Sequence, residues 1–254
     1  MPAKSDGDLM GGFGKGLAVL EAFGRERERL TIAEVSRLTG LDRATARRCL
    51  LTLERLGYAT HDGKSFALTV RVLSLGHAYL STTPLPDQLQ PFLDRLAVEI
   101  QESCSSSVLD DTEIVYLARA AQRRVMSIGL GVGSRLPAYC ASMGRVLLAA
   151  LTDQQVMAVL ERTAIRPLTP KTLTDIDALI AEIARVRVQG YAIIDEELEM
   201  GLRSLAVPIR NGAGRVVAAL NTGVQTSRVS VDRLQAEMLP ALLDVQRRLA
   251  TVIS

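Results

Sequence analysis

Residues 31–58, TIAEVSRLTGLDRATARRCLLTLERLGY, decide the fold of the N-terminal part of this 254-residue chain. Thr31 and Glu34 have the spacing of a capping box, in which hydroxyl and carboxylate each satisfy a backbone N–H that a helix start leaves unpaired. Leu30 and Val35 stand where a hydrophobic staple puts them. This helix stops at Gly40, a residue suited to the left-handed conformation that ends helices. Asp42 then caps a second helix after a turn of only three residues, Thr39-Gly40-Leu41, and Leu41 and Ala46 repeat the staple spacing. In that second helix Ala46, Cys49, Leu50, Leu53 and Leu56 fall on one stripe at helical spacing, the signature of a buried face. Arg43, Arg47 and Arg48 fall on the other side, grouped in the N-terminal half.

Working outward, residues 16–23 offer a short apolar helix through Leu17, Leu20 and Phe23, and the charged stretch 25–29 is expected to be a solvated loop. Downstream, 58–61 and 64–68 are short extended runs around Asp62-Gly63, a strong signal for a two-residue hairpin. Helix, helix, tight turn, helix and hairpin make a winged helix-turn-helix. Recognition helices of this kind enter the major groove with their N-terminal residues foremost. Arginine presents a planar fork to guanine O6 and N7, and threonine suits a phosphate or a thymine methyl. The expected DNA-binding residues are therefore Arg43, Thr45, Arg47, Arg48 and, as a phosphate contact from the wing, Lys64. Which arginines face bases and which face phosphates stays open.

Charge supports this only by its placement. The whole chain carries a formal net charge of +2; residues 1–82 hold 12 Lys/Arg against 9 Asp/Glu, and residues 83–254 hold 18 against 19. The cysteines Cys49, Cys104 and Cys140 are odd in number and far apart, which argues against a disulfide framework or a zinc cluster and fits a reducing cytoplasm. No apolar run approaches the ~20 residues of a membrane span, and the polar opening 1–14 is expected to be a flexible arm rather than a signal peptide.

Beyond the wing, residues 70–81 suggest a connecting helix, and Thr82-Thr83-Pro84-Leu85-Pro86 breaks the pattern. An amphipathic helix is expected over 87–102, strands over 105–109, 113–118 and 125–128, and helices over 142–151, 153–162 and 172–189. Strands follow over 191–195, 203–209 and 215–222, then a long helix over 230–253 that Pro240 should kink. Strands in meanders with helices around them suggest an α+β domain rather than a parallel sheet. The organisation is an arm (1–13), a DNA-binding domain (14–69), a connecting helix and linker (70–84) and an effector-binding domain (85–254).

Two segments of the larger domain suggest a small-molecule site. Ala141-Ser142-Met143-Gly144 precedes an apolar helix and can present backbone N–H groups to an anion. Arg203-Ser204 leads into an apolar strand, and a carboxylate ligand needs a charge partner and a hydroxyl donor. Strand alternation would turn only one of these two inward, and Arg135 or Arg145 could supply the charge instead. The segment 195–199 clusters Asp195, Glu196, Glu197 and Glu199, which keeps open a carboxylate-based enzyme with a DNA-binding appendage; an architectural DNA binder is a further alternative. Against an enzyme, both histidines, His61 and His77, lie before residue 83, and there is no HExxH, GxSxG or P-loop pattern. Gly129-Leu130-Gly131-Val132-Gly133 lacks the dinucleotide-binding spacing and is expected to be a loop. No metal and no cofactor are expected.

The segments KGLAVLEAFG (15–24), 31–58 with the wing, PAYCASMGRVLLA (137–149) and DEELEMGLRSLAVPIRN (195–211) resemble the IclR family of bacterial transcriptional regulators. They look most like its subgroup controlling aromatic-acid catabolism through protocatechuate and β-ketoadipate, the PcaR/PcaU/PobR-like regulators. The resemblance implies a GAF-like effector domain, an antiparallel sheet flanked by helices, that binds a small organic acid. It also implies dimers through the N-terminal domains, often paired into tetramers, on double-stranded operator DNA. It places Ala141, Ser142, Met143, Asp195, Ser204, Asn221 and Thr222 around the effector; Arg203 is added as a charge partner. Ser204 departs from the Cys of several family members, so a glyoxylate-like ligand is not implied.

Overall fold

The computed structural model describes residues 10–24, 27–121 and 129–253. The strand expected over 125–128 and the first nine residues of the arm lie outside them. The chain divides between Thr83 and Pro84 into two compact units. Among the described residues no helix is long and apolar enough to cross a membrane.

In the first unit, α1 (Gly11–Glu21), α2 (Ile32–Thr39) and α3 (Arg43–Arg55) combine with β1 (Arg29–Leu30), β2 (Ala59–His61) and β3 (Phe66–Leu68), paired antiparallel in the order β1-β3-β2. The capping box forms: the Thr31 N–H donates to Glu34 Oε2 at 2.8 Å, and the Glu34 N–H donates to Thr31 Oγ1. These bonds hold the Glu34 carboxyl below its ordinary pKa, the Thr31 backbone N–H contributing most. Gly40 adopts φ +71°, and Asp42 Oδ1 accepts the Thr45 N–H at 2.9 Å, so α2 ends and α3 begins as their local chemistry dictates. Val19, Leu30, Val35, Ala46, Leu50, Leu53 and Phe66 form the core.

Three local expectations change. Helix α1 starts at Gly11 rather than residue 16; its C-terminal half is anchored by fully buried Val19 despite the glycines ahead of it. Arg29 is not in a loop but pairs with Ala67, because buried Leu30 draws it into the wing sheet. The hairpin is not a two-residue Asp62-Gly63 turn: the strands end at His61 and Phe66, and residues 62–65 connect them. Asp62 Oδ1 accepts the N–H groups of both Lys64 and Ser65, so a side chain organises the turn. A 3-10 turn (Val70–Val72) then leads into α4 (Leu73–Thr82).

The second unit opens with α5 (Leu85–Ile100), β4 (Ser103–Asp110), β5 (Glu113–Ala120) and β6 (Arg135–Pro137). After a 3-10 turn (Ala138–Cys140) come α6 (Ser142–Ala149), α7 (Asp153–Arg162) and α8 (Ile176–Gln189), then β7 (Ala192–Asp195), β8 (Leu202–Arg210) and β9 (Val216–Gln225). The chain finishes with α9 (Val231–Arg233), a π turn (Leu234–Met238) and α10 (Leu239–Leu249). Strand β6 has no counterpart in the sequence reading. These six strands pair antiparallel in the order β6-β5-β4-β9-β8-β7.

Both faces of this sheet are covered, and the alternation of side chains sorts them. Leu205, Val207 and Ile209 of β8 join Ala218 and Leu220 of β9 under α5 and α10, whereas Ala206 and Ala219 face α6 and α8. Gly144 of α6 sits so close to the preceding 3-10 turn that a Cβ there would lie 2.1 Å from the Ala138 carbonyl oxygen. Only glycine lets the start of α6 pack down on that turn. Pro240 does not simply kink the last helix. It lacks an N–H and crowds the preceding turn, and the π turn ahead of it, closed by the Leu239 N–H to the Leu234 carbonyl, absorbs that conflict.

Candidate functional site

On the α6 face of the sheet is a recess of about 430 Å3, including its open mouth. Ile114 and Tyr116 of β5, Leu130, Leu136, and Leu198 and Leu202 around the start of β8 make its apolar walls. Ala141, Ser142 and Met143 enter from the start of α6, Ser204 from β8, Asn221 and Gly223 from β9, and Arg119 from β5.

Arg119 reaches this face because of a bulge. Ser106 pairs with Ala118 and Ser107 with Tyr116, leaving Leu117 as an extra residue. One inserted residue reverses the alternation, so Ile114, Tyr116 and Arg119 all face the recess while Ala118 faces α5. The Arg119 guanidinium donates from Nη1 to Ser105 Oγ at 2.9 Å and has no carboxylate partner among the described residues. Nearby, Ser142 Oγ is buried with no hydrogen-bond partner among the described residues. Such orphaned hydroxyls are uncommon and call for an explanation. Burial pushes the Tyr116 phenol up to about 12, a measure of how dry this wall is. The arrangement offers a cation and free hydroxyl chemistry between apolar walls, which suits a small acid with a flat apolar body.

Five of the eight expected effector residues line the recess: Ala141, Ser142, Met143, Ser204 and Asn221. The other three are on the opposite face. Thr222 pairs with Cys104 and Leu205 in the α5/α10 layer, and its hydroxyl donates to the Ser103 carbonyl at 3.1 Å. Arg203 pairs with Asp195 across the strands, makes an ion pair with it at 2.7 Å and donates to the Val229 carbonyl. Alternation thus turns Ser204 inward and Arg203 outward. Arg135 is exposed and engaged by Asp110 and Glu113, and Arg145 is buried against Glu197. The acidic cluster is likewise spoken for: Glu196 pairs with Lys171 and Glu197 with Arg145.

In the first unit, Arg43, Arg47 and Arg48 are exposed on α3, and Lys64 is exposed at the tip of the wing. Thr45 differs from expectation. It is 7% exposed, and its hydroxyl accepts Arg48 Nη2 at 3.2 Å, so it braces that arginine from behind the surface. At the wing, the Ser65 and Lys64 N–H groups hold the Asp62 carboxyl far below the usual carboxylate range. Among the described residues no His, Cys, Asp and Glu group together as a metal site.

Residues 14–63 match the IclR helix-turn-helix domain, and residues 77–251 match the C-terminal domain of the bacterial transcriptional regulator IclR. The chain belongs to the IclR family. The Pca regulon regulatory protein of Pseudomonas putida is 47% identical over 245 residues, covering 96% of this chain and 84% of that protein. The p-hydroxybenzoate hydroxylase transcriptional activator of Acinetobacter baylyi is 39% identical over 251 residues, covering 97% and 93%. The crystal structure of the PobR inducer-binding domain from Acinetobacter, a double mutant in complex with 3-hydroxybenzoic acid, is 34% identical with a TM-score of 0.63, covering 66% of this chain and 98% of that one. These relatives are transcription regulators, not enzymes, and the likeness to the PcaR/PobR-like subgroup of the IclR family extends over both units.

Proposed function

We propose that this IclR-family regulator binds operator DNA through its first unit and that a small aromatic carboxylate, held in the recess on the α6 face, controls that binding or the resulting activation. One observation carries the reading: Arg119 faces a recess with largely apolar walls and has no acidic partner among the described residues. A guanidinium half-buried between apolar walls is a strong and geometrically specific partner for a carboxylate. Ser142, Ser204 and Asn221 supply hydrogen bonds to the remaining polar groups of the ligand, and Ile114, Leu198 and Leu202 pack on its ring. The hydroxybenzoate complex of the similar inducer-binding domain supports this ligand class.

On the DNA side, Arg43, Arg47 and Arg48 of α3 approach the major groove and Lys64 a phosphate, with Thr45 bracing Arg48. Residues 14–69 form the DNA-binding domain, 70–84 the connection and 85–254 the effector-binding domain. The protein works in the cytoplasm as a homodimer or tetramer, so that two heads engage two half-sites. An effector changes operator affinity only by binding one arrangement of the heads better than another. Calorimetric titration with 4-hydroxybenzoate, protocatechuate, β-ketoadipate and glyoxylate tests the reading. Saturable binding of an aromatic acid supports it; silence from both aromatic acids refutes the ligand class.

A further inference from the structure

Among the described residues, Arg145 and Glu197 make the most deeply buried ion pair, with side chains 2% and 12% exposed. Arg145 Nη2 donates to Glu197 Oε2 at 2.6 Å, its Nε donates to the Tyr139 carbonyl at 3.0 Å, and Glu182 of α8 stands 3.7 Å from Nη1. Neither member lines the recess, yet Arg145 lies within one helical turn of residues that do, its N–H donating to the Ala141 carbonyl, and Glu197 is next to one. Arg145 follows Ser142 and Met143 on α6, and Glu197 immediately precedes Leu198.

The backbone around Glu197 is tied down as well. Thr169 Oγ1 donates to the Glu196 carbonyl at 2.7 Å and Thr172 Oγ1 to the Glu197 carbonyl at 2.6 Å. The Leu173 N–H donates to Glu197 Oε2 at 3.1 Å, and Glu196 adopts φ +63°, a left-handed conformation that costs a non-glycine residue free energy. Removing two charges from water is expensive, and a buried ion pair often stabilises no more than a hydrophobic replacement would. Stability alone therefore does not account for the pair; geometry does, because it ties the start of α6 to the segment carrying Leu198.

We propose that Arg145 and Glu197 are positioning residues of the effector pocket: their ion pair fixes the Leu198 wall against α6 and so sets effector affinity and discrimination without touching the effector. The affinity arm rests on the reading of the recess as an aromatic-acid site; the ordering of the wall does not.

The test uses the full chain with Arg145→Met/Glu197→Gln, which removes both charges together, and Arg145→Lys, which keeps a charge but loses the fork. Hydrogen exchange of the ligand-free protein follows the Glu196, Gly201 and Leu202 amides, which donate to the Leu202 carbonyl, Glu196 Oε1 and the Glu199 carbonyl respectively. Exchange there is expected to accelerate about tenfold or more in the double variant and less in Arg145→Lys. Affinity for 4-hydroxybenzoate falls about tenfold, and the preference for it over the bulkier 4-hydroxy-3-methoxybenzoate shrinks, a change that mere loss of stability would not produce. Operator affinity reports that the first unit is intact. Unchanged exchange overturns the proposal, as does wild-type discrimination in a folded double variant. If the double variant does not fold, Arg145→Lys decides by the same two readouts. Failure of wild type to bind 4-hydroxybenzoate would refute the ligand reading, while exchange would still decide whether the pair orders the wall.

Discussion

Replacing Arg119 with methionine keeps an unbranched apolar stem but removes the guanidinium facing the recess. Among the described residues this group makes one hydrogen bond, to Ser105 Oγ at 2.9 Å, so it has donors left for a ligand carboxylate. A hydrogen bond to a charged group contributes about 1.5–3 kcal/mol net, which corresponds to about a 10- to 150-fold rise in Kd. The assay is calorimetric titration of wild type and Arg119→Met with 4-hydroxybenzoate, matched by 4-hydroxybenzamide, the neutral analogue of the same shape. The variant should lose affinity for the acid by that factor and change little toward the amide. Arg119→Lys should fall between, because a point charge replaces a fork. Equal affinity of wild type and Arg119→Met for the acid would refute the assignment. So would equal losses for acid and amide, which would make Arg119 a packing residue.

Other consequences follow from the placement of residues. Ser204→Ala should weaken effector binding by about 0.5–1.5 kcal/mol, one neutral hydrogen bond, whereas Asp195→Asn and Thr222→Val should leave it unchanged in the same titration, because both face the other layer. Arg47→Ala should cost about 1–3 kcal/mol of affinity for the specific operator, read by fluorescence anisotropy; unchanged affinity with an intact fold would remove Arg47 from the reading surface. Burial pushes the thiols of Cys104 and Cys140 up to about 12 from 9.0. The unfolded chain therefore releases thiol protons above about pH 9 that the folded chain retains, and denaturant-measured stability should fall as pH rises from 9 toward 12; a flat profile would contradict that burial. Gly144→Ala should destabilise the effector unit by at least about 1–3 kcal/mol, the usual cost of overpacking, visible as a lower Tm, since its Cβ would collide with Ala138.

What is legible in the sequence is local. Thr31 with Glu34, Asp42 with Thr45 and Gly40 fix helix ends through groups within a few residues, and the helix-turn-helix follows from them. The wing is legible as a hairpin, but its turn is not, because the Asp62 side chain replaces backbone pairing. The pocket depends on longer-range order. Ser142, Met143 and Ser204 stand out from the segments that carry them, yet the inward side of β9 is set by register: Asn221 faces the recess and its neighbour Thr222 the other layer. Arg119 escapes a sequence reading for a similar reason. Strict alternation from Ile114 and Tyr116 turns it away, and only the bulge at Leu117, visible in the pairing with β4, turns it back. Asp195 and Arg203 attract attention as charges beside the pocket segment, and those charges satisfy each other instead.

A crystal structure of the protein with 4-hydroxybenzoate bound would show whether the recess at Arg119 is the effector site. The ligand is expected in the recess on the α6 face, its carboxylate on the Arg119 guanidinium, its ring between Leu198, Leu202 and Ile114, and Ser142 Oγ no longer without a partner. A ligand seated elsewhere, or one in the recess with its carboxylate directed away from Arg119, would contradict that assignment.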